Sequence, residues 1–149
     1  MPAIPTSWSN AQFSNTTFAG MRGDTQITQL ESGYVLVVWL ETGSALGTAG
    51  QPPAGDIIGR IFDPLGSPVT GEIRFNTIYS DANEILPSIT ATADGGFAVA
   101  YVERDGAEDA IVVEKYDFNP DTAAVSYFVA NWVHLDAPNV TPGFVEIAS

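Results

Sequence analysis

The sequence predicts an all-β protein built from two blade-like, four-stranded antiparallel repeats in a propeller-like arrangement, with a β-sandwich as the alternative. Three observations predict it. Short apolar or alternating segments recur along the chain, each bounded by Gly, Pro, Asn or Asp, and almost no stretch carries a helical period. The phrase SGYVLVVW at 32–39 returns as DGGFAVAY at 94–101: a glycine turn, an aromatic, an apolar run and a second aromatic. Further landmarks recur at roughly 55 residues, the length of a four-stranded repeat. Asp63 is echoed by Asp117, and Pro87 in ILPSI by Pro142 in VTPGF.

The strands follow in order. In the first repeat they are Gln26–Leu30, Tyr34–Glu41, Ile57–Phe62 and Glu72–Thr77. In the second they are Ser88–Ala93, Phe97–Glu103, Ala110–Tyr116 and Val125–Val133. Residues 11–19 and 144–147 carry weaker strand patterns. Ile27 to Trp39 aligns with Ile89 to Tyr101, with one residue inserted before the second glycine turn. The second strand of each repeat is almost continuously apolar, as a strand packed on both faces should be. Ser32-Gly33 and Asp94-Gly95-Gly96 suit tight hairpins, where positive φ is cheap only for Gly, Asn or Asp. The stretch 43–55, GSALGTAGQPPAG, is too rich in small residues and proline for a core strand and reads as a loop. RDGAED at 104–109 is its shorter, charged counterpart.

The expected organisation is one all-β domain over 1–149. Residues 1–25 are the end of a preceding repeat or an arm, 26–84 the first repeat, 85–139 the second, and 140–149 the first strand of a further repeat. Two repeats are too few to close a propeller. Their edges and apolar faces call for copies of the chain, for other subunits, or for the rest of a longer protein.

Composition narrows function. The chain has 149 residues, 45% hydrophobic and 11% aromatic, enough for a core. With 18 acidic residues against 5 basic ones, net charge is −13, and the five cations are scattered. Nucleic acid binding needs a basic stripe, so it is excluded, and anionic membrane surfaces with it. There is no cysteine, which removes disulfides and thiolate metal sites. MPAIPTSW is not a secretory signal peptide. The run Tyr34–Leu40 is far shorter than the ~20 residues of a membrane helix. The chain is then cytoplasmic, exported without an N-terminal signal, carried in a particle, or cut from a longer protein.

One stretch resembles a known family. GYVLVVW, then DIIGRIFDPLGSPVTGEIRFNT, then LPSITATADGGFAVAY is similar to repeats of large bacterial secreted and surface proteins, adhesin-like chains that often also carry RTX calcium repeats. Gly59, Phe62, Asp63, Gly66, Gly71, Glu72, Asn76 and Thr77 fall in phase with that pattern. The second copy departs from it, with Val113 in place of the glycine and DFNPDTAAV in place of the turn. The resemblance implies a non-catalytic β-repeat, extracellular or exposed at a cell surface; a phage-like particle is the separate location that the sequence allows.

Little points to chemistry. His134 is the single histidine, and no nucleophile elbow accompanies it. The chain is therefore read as non-enzymatic. Calcium is the one cofactor considered, because hard cations take oxygen ligands. Asp117, Asn119 and Asp121 offer oxygen side chains at alternate positions as its ligands, although such Asx-rich turns also cap hairpins. Exposed aromatics stack on sugar faces, so Trp132 with Asn131, His134 and Asp136 forms a candidate glycan contact. Packing of Trp132 against a neighbouring subunit is the competing reading. Arg22-Gly23-Asp24 spells an integrin-binding tripeptide, a match too short to weigh. The leading function is thus a structural or adhesive module that meets partner subunits through strand edges and loops. The alternative is a carbohydrate-binding module.

Overall fold

The structure is a computed structural model, and it describes residues 14–16, 20–43, 55–76, 83–104 and 109–135, the last four by backbone alone. The described residues form eight strands and no helix. In the first sheet these are β1 (Met21–Gln29), β2 (Val35–Thr42), β3 (Gly55–Phe62) and β4 (Ile73–Arg74). In the second they are β5 (Asn83–Ala91), β6 (Phe97–Arg104), β7 (Asp109–Asn119) and β8 (Ala124–Leu135). Both sheets are antiparallel meanders in chain order. All eight strands read from the sequence are present. The expected strands at 11–19 and 144–147 lie largely or wholly outside the described residues.

The two sheets repeat one another in register, not only in sequence. Met21 pairs with Thr42 and Gln29 with Val35; 62 positions later Asn83 pairs with Arg104 and Ala91 with Phe97. Even the irregularity is copied. The ladder shifts between Gly23 and Gln26, and again between Ile85 and Ser88. Each bulge carries a non-glycine residue at positive φ, Asp24 at 46° and Leu86 at 55°. Bulges of this kind bend an edge strand and sharpen its twist.

Two expectations are corrected by this register. No residue is inserted before the second glycine turn, because Gly33 and Gly95 occupy the same place at φ 83° and 90°. Tyr34 therefore corresponds to Gly96, and Val35 to Phe97. A side chain at Gly96 would put its Cβ 2.3 Å from the Tyr116 carbonyl oxygen, so the second copy places its aromatic one residue later. Nor is there one period. Phe62, which pairs with Val35, maps to Tyr116, which pairs with Phe97, at a spacing of 54. The connection between β2 and β3 is eight residues longer than that between β6 and β7.

The core lies between the sheets. Leu36, Val38, Ile57, Ile61 and Phe75 of the first pack with Phe97, Val99, Tyr101, Val112, Tyr116 and Phe118 of the second. Gly59, opposite Val38, leaves room for Phe75: a Cβ there would sit 2.5 Å from the Phe75 ring. Phe75 in turn meets Phe97 and Tyr116 edge-on. These are not equivalent faces. In the first sheet the core takes Leu36 and Val38; in the second it takes Phe97, Val99 and Tyr101, the counterparts of Val35, Val37 and Trp39. The sheets stack back to front.

Candidate functional site

Four groups of side chains bear on function. The first is buried charge. Glu41 and Asp56 face each other across β2 and β3, nearly inaccessible to solvent. Arg22 on β1 reaches Glu41 at 3.1 Å, and the Trp39 indole donates to the same carboxylate at 3.1 Å. Arg74 on β4 holds Asp56 at 2.8 Å. The Asn76 amide nitrogen donates to Asp56 at 3.1 Å and to Glu84 of the second sheet at 2.8 Å, so this row of charge ties the sheets together. Burial, with some help from the Asp56 and Glu103 charges, pushes the Glu84 carboxyl up to about 8. Arg22 is therefore turned to a buried carboxylate, and Arg22-Gly23-Asp24 is part of a bulged edge strand.

The second group is Glu114 with its two tyrosines. Its carboxylate is fully buried and accepts the hydroxyls of Tyr101, at 3.2 Å, and of Tyr116. Burial raises the Glu114 carboxyl and raises both phenols above their ordinary range. The Tyr116 hydroxyl also lies 2.8 Å from the Phe75 carbonyl, so its one proton serves either acceptor and makes a second polar link between sheets. Sequence patterning missed these acids because a carboxylate in a linear pattern reads as a surface residue, and its burial depends on partners from other strands.

The third group is the β7–β8 hairpin with the proposed calcium ligands. Asp117 and Asn119 lie on the same exposed side of β7, and Asp121 is exposed in the turn. The Asn119 side-chain oxygen accepts backbone N–H groups from Asp121, at 3.0 Å, and Thr122, at 3.2 Å. That is an Asx turn closing the hairpin. Among the described residues, His, Cys, Asp and Glu form no group of three or more placed to hold a metal.

The fourth group is β8, the outermost strand of the second sheet. Asn131 is exposed there and pairs with Val113. Trp132 and His134 pair with Val112 and Ala110, at positions that alternate with Asn131 across the sheet. The strand thus brings Asn131, Trp132 and His134 to one edge but not to one face. Asp136 lies outside the described residues. The more exposed groups come just before: Tyr127 at 50%, Phe128 at 61% and Val129 at 39%. A register shift beside Lys115 pushes Phe128 out of the ladder, and the Lys115 ammonium lies 4.9 Å from its ring centre. Lys115 also pairs with Asp94, whose carboxyl that contact, aided by Thr92, holds down at about 2. The run Val125–Val133 was legible as a strand; the bulge that turns Phe128 outward was not.

Four of the residues shared with the bacterial repeat pattern, Gly59, Asp63, Gly66 and Asn76, have structural duties. The Asp63 carboxylate accepts the N–H groups of Leu65 and Ser67, at 2.9 and 2.8 Å, and Gly66 supplies φ 86° in the same turn. Gly59 clears the way for Phe75, and Asn76 bridges the two buried carboxylates. Comparison with protein-family models, with curated proteins and with solved structures returns no match for this chain.

Proposed function

We propose that this chain is a non-catalytic structural or adhesive β-repeat module, propeller-like in the way its sheets stack, serving in a surface, secreted or particle-borne assembly. The observation that carries this reading is the back-to-front contact of the two sheets. A sandwich related by a two-fold axis brings equivalent faces together. A stack in which one face meets the opposite face of the next sheet extends like blades, and it forms a ring or a filament according to whether the rotation closes.

The likeness to adhesin-type repeats supports the same reading, since Asp63 and Gly66 build a turn and Gly59 and Asn76 serve inter-sheet packing. The β8 edge supplies the contact for a partner subunit. The described strand is twelve residues long, with no proline and no charge from Ala124 to Val133. β8 has its own bulge at Phe128, but the other three sheet edges are blunted further, by bulges with a positive-φ residue in β1 and β5, by Pro87, or by the two-residue length of β4.

Sedimentation and light scattering of the whole chain test this. Self-association or capture of copies that weakens at least tenfold in Phe128→Lys and Val129→Lys supports the module. A chain that stays monomeric at high concentration and binds no surface partner removes it. The carbohydrate-binding alternative draws on Asn131, exposed on the same strand as Tyr127 and Phe128. Glycan binding that is lost in Asn131→Ala and Trp132→Ala, with the fold retained, favours it.

A further inference from the structure

The outer face of the first sheet, away from the second, holds an apolar hollow of about 270 Å³. Ile27, Val35, Val37 and Phe62 line it, with Ser14 and the turn around Pro64 at its rim. Its volume is below that of most small-molecule sites and nearer the scale of a side chain. Ile27 is 69% exposed there, a large apolar residue without cover.

The repeat register identifies the hollow. Its four strand residues map onto Ile89, Phe97, Val99 and Tyr116 of the second sheet. That second patch is covered, and the ring of Phe75 stands on it, 5.7 Å from Phe97 and 5.0 Å from Tyr116 between ring centres. The hollow is the same socket one repeat earlier, and among the described residues no aromatic plugs it.

The sequence contains an aromatic at the matching place. Phe75 precedes the first residue of β5 by eight positions, and Phe13 precedes the first residue of β1 by eight. Phe13 itself lies outside the described residues, but its neighbour Ser14 is at the rim of the hollow. Two residues on, the Thr16 backbone N–H donates to the Glu72 carboxylate, just ahead of β4. The chain is therefore held at the socket mouth on the C-terminal side of Phe13. We propose that the hollow is a docking socket for the Phe13 side chain, which caps the exposed face of the first sheet as Phe75 caps the second. Two partners differ, Val35 standing where Phe97 does. Phe62 stands where Tyr116 does, so no hydroxyl meets the plug's carbonyl, and the cap is held by apolar contact alone.

The absence of cysteine makes a direct test clean. Phe13→Cys combined with Val37→Cys is expected to form an intramolecular disulfide at least tenfold faster than Phe13→Cys with Asn119→Cys, because bridging needs Cβ atoms about 4 Å apart. In the full chain, Phe13→Ala is expected to lower Tm by about 4–10 °C, with Phe13→Leu recovering most of the loss. A Phe13→Ala Tm within about 1 °C of the parent, together with no intramolecular cross-link, overturns the proposal. So does a Phe13–Val37 cross-link that runs only between chains, which assigns the socket to a second copy. If Phe13→Ala fails to fold, the cross-linking rate decides by itself. None of the supporting readouts depends on β8 or on assembly, so the proposed module and the socket stand or fall separately.

Discussion

Phe75 of the first sheet and Tyr116 of the second are joined twice: their rings meet edge-on at 5.0 Å, and the Tyr116 hydroxyl lies 2.8 Å from the Phe75 carbonyl. The pair carries both the apolar and the polar side of the sheet-to-sheet contact. Phe75→Ala is expected to cost about 3–5 kcal/mol, the range for emptying a buried aromatic site. Tyr116→Phe removes the one hydroxyl that serves the buried Phe75 carbonyl and the Glu114 carboxyl, for about 1–3 kcal/mol. Gly59→Ala drives a methyl into the Phe75 ring and costs about 1–3 kcal/mol. Urea unfolding followed by Trp fluorescence checks all three. A Gly59→Ala protein as stable as the parent would show that Phe75 is not held against β3.

Glu84 makes stability depend on pH. Its carboxyl is raised by burial from 4.5 to about 8, so the folded state keeps the proton that the unfolded chain releases. The stability this adds is full below about pH 4.5 and is lost as pH rises through about 8. Buried Glu114 is raised for the same reason and acts in the same direction. Glu84→Gln keeps a neutral group in place. It is expected to match the parent near pH 5 and to exceed it by about 1–3 kcal/mol at pH 9. Parallel stability curves for the two proteins across that window would contradict the assignment.

Arg22 neutralises a carboxylate that solvent does not reach. Arg22→Ala leaves Glu41 with the Trp39 indole as its remaining described donor, and the expected loss is about 2–4 kcal/mol. Arg22→Lys keeps the charge and should recover part of it. Equilibrium denaturation of the three proteins measures the difference. A change under about 0.5 kcal/mol in Arg22→Ala would mark the pair as a surface contact.

The Asn119 turn separates hairpin capping from cation binding. Asn119→Ala removes the acceptor of two backbone N–H groups and is expected to cost about 1 kcal/mol. An equal loss of Tm in calcium and in chelator identifies a self-sufficient turn. A loss seen only with calcium present identifies Asp117, Asn119 and Asp121 as ligands.

Much of the fold was legible before any coordinates. The strands β2 and β6 announced themselves as apolar runs, and Gly33 and Gly95 as turn residues, because strand period and turn conformation are local properties of the chain. The matching of Asp63 with Asp117 was legible for the same reason. The buried acids were not. Glu41, Glu84 and Glu114 look like surface residues in a linear pattern, and only the partners brought from other strands make their burial tolerable. Of the candidate glycan residues, Asn131 stands at a position of β8 that alternates with Trp132 and His134, a placement that closeness in sequence does not show.

The sequence by itself determined an all-β chain, a twice-written four-stranded unit and the residues that turn it. Tertiary structure alone decided which face of one unit meets which face of the next. Both faces of β2 and β6 are apolar, so no local pattern chooses between them. The choice is made by fit across the gap, where Gly59 leaves room for Phe75, Tyr116 reaches the Phe75 carbonyl, and Asn76 ties Asp56 to Glu84.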